Sequence, residues 1–247
     1  AKPLSPKRQA QELAFQALEA PSRAERRRLA LQSLDLDPDC VDALSALAVV
    51  TSVSQEEGIE KLEQAVATGE RTLGRDFFEE NRGHFWGIIE TRPYMRARFA
   101  LASELLAANR REEAIRHMEA LLELNPNDNQ GVRDYLLAAY FVEGNLDGAK
   151  GVLNRYEEDA GALFEYSRVL ALCLERKWED AEEALRSARE GNPHVPAFLC
   201  GRRRLPPNLP AYYRPGDESE AVQCVLVIGP AWQAHPTALA WLATHVR

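Results

Sequence analysis

The sequence has little that would indicate catalysis, metal binding or a cofactor. Only four of its 247 residues are cysteines, and none forms a Cys-x-x-Cys pair or has a histidine nearby at metal-ligand spacing. The phosphate loop, the Gly-x-Ser-x-Gly elbow and the His-Glu-x-x-His motif are also absent. We therefore expect no metal ion and no cofactor. We interpret the cysteines as reduced core residues, at positions Cys40, Cys173, Cys200 and Cys224.

Charge and hydropathy disfavour two further classes of partner. The chain has 30 basic and 38 acidic residues, a formal net charge of −8, which disfavours general affinity for nucleic acid or an anionic membrane. No apolar run approaches the ~20 residues of a membrane-spanning helix, and no signal peptide opens the sequence. We therefore expect a cytoplasmic protein. Because residue 1 is Ala and not Met, the sequence leaves open whether residues precede it and whether a leader has been removed.

Residues 93–126 contain the clearest repeating unit. Apolar residues recur at helical spacing over 93–109 and again over 111–124, and Pro126 ends the second helix. Two helices joined by a short turn within about 34 residues indicate a helical-hairpin repeat. The unit recurs, because small residues at the expected helix crossings follow one another at nearly equal spacing, at Ala114, Ala149 and Ala181. We expect these alanines and Ala102 to be buried.

These units resemble the tetratricopeptide repeat (TPR) family, whose pattern has a small residue at the helix crossing and a proline closing the unit. Residues 93–193 hold three clear copies, and residues 5–69 hold two degenerate ones. The resemblance implies an all-α, TPR-like helical-hairpin solenoid, a right-handed superhelix that forms one continuous domain. Residues 194–247 are predicted to be a loop followed by a C-terminal helical cap. Residues 76–175 also resemble bacterial repeat proteins related to the suppression-of-tumorigenicity-seven family.

Several local expectations follow from capping and helix-breaking residues. The first hairpin is predicted at 9–19 and 22–34, with Ser22 as an N-cap. The second repeat is expected to have a shortened second helix around Ile59, Leu62, Ala65 and Val66. In the tail, helices are predicted over 218–228 and 237–245, with a break at Gly229 and Pro230. Trp178, in the turn of the last hairpin, is expected to lie in the core.

An aromatic, glycine-rich insertion over 70–92 interrupts the repeats. Its glycines predict a short helix at about 76–81 followed by a bend into the helix at Pro93. We expect the insertion to be structural, with Phe85, Trp86, Ile88 and Ile89 packed at the hairpin junction. The alternative is a small-ligand or hydrolase-like site within 82–98, in which a base and an anion clamp come from His84, Glu90 and Arg92.

The preferred functional hypothesis is a non-catalytic protein-interaction module or scaffold, not an enzyme. Family members line a concave groove with their first helices and bind peptides or helices there. The matching positions here are Arg92, Arg96, Phe99, Ser103 and Leu106, then Asp134, Phe141 and Tyr166.

The groove chemistry narrows the expected partner. Chaperone-binding members need Lys and Asn for a peptide carboxylate, and those positions are Phe99, Ser103, Asp134 and Ala138 here. Because arginines cluster at the groove entrance, we expect an acidic or phosphorylated protein segment as ligand. The sequence names no partner and no oligomeric state. A third possibility is a structural subunit whose groove is occupied by its own tail, through Trp232, Leu239 and Trp241.

Overall fold

The computed structural model describes residues 4–210 and 212–245, and every regular element in those ranges is a helix. Fourteen α-helices and two short 3-10 helices lie there, with no strand among the described residues, which confirms the all-α prediction. None of the helices in the described ranges has the length and apolar character needed to cross a membrane. The chain divides into two compact units, Ala1–Val132 and Arg133–Arg247.

Unit 1 contains seven of the described α-helices and both 3-10 helices. The α-helices are α1 (Pro6–Glu19), α2 (Arg23–Leu36), α3 (Val41–Thr51), α4 (Gln55–Leu73), α5 (Arg75–Asn81), α6 (Arg92–Ala107) and α7 (Arg111–Leu124). The pairs α1–α2, α3–α4 and α6–α7 pack as hairpins, and the first helices of these hairpins also touch, α1 on α3 and α3 on α6. The first helices α1, α3 and α6 are therefore neighbours along one side of the unit.

Small residues allow close packing in the first hairpin. Ala10, Ala14 and Ala17 are fully buried on α1, at the i, i+4 and i+7 positions of one helix face. The buried Ser33 hydroxyl of α2 donates a hydrogen bond of 2.7 Å to the backbone oxygen of Ala10. Because no large side chain separates the helices here, their backbones can lie within reach of a serine side chain.

Serine caps begin the helices of this unit as the sequence predicts. The Ser22 hydroxyl accepts a hydrogen bond from the amide of Glu25, which confirms Ser22 as the N-cap of α2. Ser54 does the same for Glu57 at the start of α4. The prediction that the second helix of this repeat is short was wrong, because α4 has 19 residues and ends only at Gly74, whose φ of 81° ends the helix.

The insertion packs on α6 through aromatic rings. The predicted short helix is confirmed as α5, and two 3-10 helices follow it, Phe85–Gly87 and Ile89–Thr91. Phe85 is fully buried, with its ring centroid 4.9 Å from that of Phe78 and 6.3 Å from that of Tyr94. Trp86 is only partly buried, and Ile89 is exposed, so the expectation that Ile89 plugs the junction was wrong. Phe78 of α5 also packs on Tyr94, with ring centroids 5.2 Å apart, so the structural role of the insertion rests on Phe78 and Phe85.

Unit 2 contains the remaining helices. They are α8 (Val132–Val142), α9 (Leu146–Arg155), α10 (Ala162–Leu174), α11 (Trp178–Gly191), α12 (Val195–Leu199), α13 (Glu218–Ala234) and α14 (Pro236–His245). Helix α10 packs on α11 as a hairpin, and the tail helices α13 and α14 also pack on α10. The loop predicted between the repeats and the tail helices is present, since residues 202–210 form no helix.

Two predictions in unit 2 were wrong. Helix α13 continues through Pro230. A proline inside a helix leaves the carbonyl four residues earlier without its backbone hydrogen bond. Here that carbonyl belongs to Leu226, and because Pro230 and Leu226 are both exposed, water can bond to it. The break comes instead before Pro236, the first residue of α14. Trp178 is 38% exposed instead of buried, and its ring lies 6.1 Å from the ring of Trp241.

Three hairpin turns have the same backbone geometry. Asn109, Gly144 and Arg176 all adopt a left-handed conformation, with φ of 64°, 70° and 60°. The residue after each of these donates its backbone amide to the carbonyl five positions before it, as Arg110 does to Leu105 at 2.8 Å. This hydrogen bond is typical of a Schellman-type helix end. The alanines Ala102, Ala114, Ala149 and Ala181 are fully buried, as predicted. The turns therefore recur along the chain with the same spacing as Ala114, Ala149 and Ala181.

Candidate functional site

The predicted groove residues on α6 differ widely in exposure. Ser103 is exposed, and Phe99 and Leu106 are partly buried. Arg92 donates a hydrogen bond of 3.0 Å to the backbone oxygen of Trp86 and lies 5.0 Å from its ring centroid. Arg96 takes part in a polar cluster that joins several helices.

Arg96 is held by a buried carboxylate on the neighbouring first helix. Its Nε and Nη2 atoms donate to the two carboxylate oxygens of Asp42 on α3, at 3.0 and 2.5 Å. The Asp42 side chain is 2% exposed, and the Gln11 side-chain amide on α1 donates to it at 2.6 Å. The cluster therefore links all three first helices, through Gln11, Asp42 and Arg96. A bidentate pair of this kind fixes the guanidinium in one orientation.

The guanidinium of Arg96 remains partly open to solvent. Its side chain is 33% exposed, and its Cζ lies 5.4 Å from the ring centroid of Phe15 on α1. Phe15 is itself 43% exposed, and Val49, two turns along α3 from Asp42, is 58% exposed. An arginine has five N–H donors, and the Asp42 pair uses two of them. We call the surface formed by Phe15, Asp42, Val49, Arg96 and Ser103 the α1–α3–α6 face.

The pair with Asp42 corrects the predicted charge of the groove entrance. We expected Arg96 to contribute a free positive charge there, yet a buried carboxylate compensates it. The physical reason is that a carboxylate that is 2% exposed has lost most of its hydration and is stabilised by a close counter-charge. Arg98 lies two residues further along α6, about half a helical turn away, and bonds Glu70 instead. The α1–α3–α6 face therefore contains both polar and apolar side chains and is not strongly basic.

The predicted groove residues of unit 2 do not form an open surface. Phe141 and Tyr166 are fully buried, so they are not available to contact a ligand, which contradicts the sequence hypothesis. The Tyr166 hydroxyl donates to the backbone oxygen of buried Asn192 at 2.7 Å, and burial raises its pKa. Tyr166 lies on α10, the helix on which the tail helix α13 packs. Asp134 remains partly exposed, with an oxygen 3.9 Å from Nε of Arg133.

The residues of the hydrolase-like alternative do not form a catalytic arrangement among the described residues. His84 and Glu90 are both exposed, and neither has a hydrogen bond or an ion pair with the other or with Arg92. General acid-base catalysis needs its groups within hydrogen-bond reach of a common substrate atom. The geometry gives that hypothesis no support.

Comparison with known proteins adds no family assignment. No protein-family model matches the sequence, and no curated protein matches it at a significant level. The interpretation of the site therefore depends on its geometry.

Sequence reasoning missed Gln11, Phe15 and Asp42. Asp42 looks like a helix-capping acid in the first turn of α3, because acidic residues are common at helix N-termini. Its partner Arg96 is 54 residues away. A helical-repeat register for the degenerate first units could have placed Phe15, Asp42 and Arg96 on adjacent first helices. No shorter signal in the sequence joins them.

Proposed function

We propose that this chain is a TPR-like helical-repeat protein that binds an extended peptide along the α1–α3–α6 face. Two observations support the repeat. First helices of successive hairpins in unit 1 are neighbours, and left-handed turns recur at Asn109, Gly144 and Arg176 with nearly equal spacing. Arrays of stacked hairpins offer an extended binding surface of this kind.

The observation that carries the proposed binding site is the fixed, partly exposed Arg96. Buried Asp42 orients it, and it lies over the exposed ring of Phe15. Its remaining N–H groups can donate to a main-chain carbonyl, while Phe15 and Val49 can contact apolar side chains. Because Asp42 compensates the charge, we propose a peptide with apolar anchors in place of the acidic or phosphorylated segment expected from sequence. Such binding is non-catalytic.

A peptide-array screen with purified protein tests this function. Extended peptides with both ends blocked are the probes, and binding to the selected sequences is measured at low and high salt. We expect Phe15→Ala to weaken binding at least tenfold, and we expect little salt dependence because the guanidinium is already paired. The matched control is Leu31→Ala on α2, since Leu31 is 44% exposed and Phe15 43%.

Two outcomes would contradict the proposal. Equal losses for Phe15→Ala and Leu31→Ala would mean that the α1–α3–α6 face is not the site. A steep loss of binding with added salt would favour the acidic ligand instead.

The third hypothesis from the sequence, a groove occupied by the chain's own tail, has support at one position in unit 2. The tail helix α13 packs on α10, and the groove position predicted on α10, Tyr166, is buried. We propose that in unit 2 the tail acts as a cap over the last hairpin, which leaves unit 1 as the binding part. Replacing the fully buried Trp232 of α13 with Ala should cost about 3–5 kcal/mol of stability. It should leave the peptides selected by unit 1 unchanged.

A further inference from the structure

A cleft of about 340 Å³ lies in unit 1 where α4 ends against α5, α6 and α7. The insertion forms one wall of the cleft. Its lining includes Glu70, Phe78, Arg82, Tyr94, Arg98 and Glu123. The volume falls at the lower end of the range of about 300–1,000 Å³ typical of small-molecule pockets. Neither the repeat pattern nor the peptide proposal accounts for this cleft.

Tyr94 and Arg98 form a fixed polar group in the cleft. The Tyr94 hydroxyl donates to Oε1 of Glu70 at 3.2 Å and accepts a hydrogen bond from Nη1 of Arg98. The Arg98 Cζ atom lies 5.8 Å from the Tyr94 ring centroid. Burial is the main cause that raises the pKa of Tyr94 to about 12, so the phenol is neutral at pH 7. Arg98 is therefore the permanent charge of this group.

The charge of Arg98 is poorly compensated. Its side chain is 17% exposed, and its carboxylate contact among the described residues is Glu70 at 3.4 Å, itself half exposed. Its Nε atom is buried without a hydrogen-bond partner in the part of the chain that the structure describes. Arg96, by contrast, makes two bonds to a carboxylate that is almost wholly buried. A mostly buried cation with one long carboxylate contact and an unbonded Nε is incompletely stabilised, so Arg98 would gain from a second anionic group.

Neighbouring groups add little negative charge that could compensate Arg98 beyond Glu70. Burial, together with the charges of Arg98 and Arg116, lowers the pKa of His117 to about 4, so this imidazole is neutral at pH 7. At the mouth of the cleft, Arg82 pairs with Glu123 at 2.9 Å, but both side chains are more than half exposed. Exposed ion pairs contribute little to stability. A ligand could displace Glu123 at little cost.

We propose that this cleft binds a small organic carboxylate with an aromatic body. The carboxylate would pair with Arg98 and Arg82, and the ring would contact Phe78, which is partly buried and lines the cleft. This inference is independent of the proposed peptide-binding function, because Arg96 and Arg98 point to different sides of α6.

Calorimetric titration with three probes tests the inference. Phenylacetate carries both the charge and the ring, acetate carries only the charge, and 2-phenylethanol carries only the ring. We expect saturable binding of phenylacetate, with a Kd on the order of 1 mM or tighter for about ten heavy atoms. We expect at least tenfold weaker binding of the other two. Absence of saturable phenylacetate binding, or equal binding of acetate, would overturn the inference.

Two variants locate the site, and one serves as control. Arg98→Gln removes the charge, and Ala120→Leu fills the cleft, which Ala120 also lines, without changing any charge. Both should weaken phenylacetate binding at least tenfold, and Ala120→Leu keeps the test valid if Arg98→Gln does not fold. Arg28→Gln is the matched control, since Arg28 is an exposed arginine of α2 paired with Glu25. Unchanged binding by Ala120→Leu would show that the ligand binds elsewhere.

Discussion

The buried pair between Asp42 and Arg96 makes a large and specific prediction for stability. Replacing Arg96 with Met leaves a carboxylate that is 2% exposed without its counter-charge. Breaking a buried pair in this way costs about 3–5 kcal/mol. For a chain of this size, 1 kcal/mol corresponds to roughly 2–4 °C in Tm, so the expected loss is about 6–20 °C.

Thermal unfolding followed by circular dichroism measures this effect. The matched control is Arg28→Met, because Arg28 and Glu25 are about half exposed and such a pair contributes at most about 1 kcal/mol. The double variant Asp42→Leu, Arg96→Met removes both charges and should recover most of the loss. If Arg96→Met lowers Tm no more than Arg28→Met does, the claim that Asp42 depends on Arg96 is wrong.

Three further predictions concern the turns, a histidine and the cysteines. Arg176 has a left-handed φ of 60°, which glycine adopts without strain, so Arg176→Gly should stabilise the chain by about 1 kcal/mol in chemical denaturation. Gly144→Ala, at a φ of 70°, should destabilise the chain. Equal effects of the two substitutions would contradict this reasoning. Because the pKa of His117 is lowered to about 4, the unfolded state binds more protons than the folded state between pH 4 and 6.5, and stability falls as pH drops through this window. His117→Phe should therefore reduce the slope of unfolding free energy against pH. An unchanged slope would refute this prediction. Burial raises the pKa of the Cys173 thiol to about 12, so iodoacetamide should modify the partly exposed Cys200 first, as read by mass spectrometry; earlier labelling of Cys173 would count against its burial.

The sequence predicts the helices well because the signals involved are local. The regularly spaced alanines Ala114, Ala149 and Ala181 locate the helix crossings, and all of them are buried. Ser22 caps α2 because a hydroxyl before a helix needs only the next few residues. Such contacts lie within one hairpin, so a single sequence contains the information.

The misplaced elements depend on solvent exposure or on distant parts of the chain. Pro230 lies inside α13 because its side of the helix faces water, which the sequence pattern did not show. Tyr166 is buried on α10, the helix on which the tail, distant along the chain, packs. The Asp42 pair likewise joins two helices that are neighbours only in the folded unit. Functional geometry was therefore harder to predict than helix content.

Hydrogen exchange with and without a peptide selected on the array tests the central proposal most directly. Mass spectrometry of the exchanged chain reports protection helix by helix, and peptide binding along the α1–α3–α6 face predicts added protection in α1, α3 and α6. The second helices α2, α4 and α7 should change little. Protection confined to those second helices, or to unit 2, would contradict the proposed site.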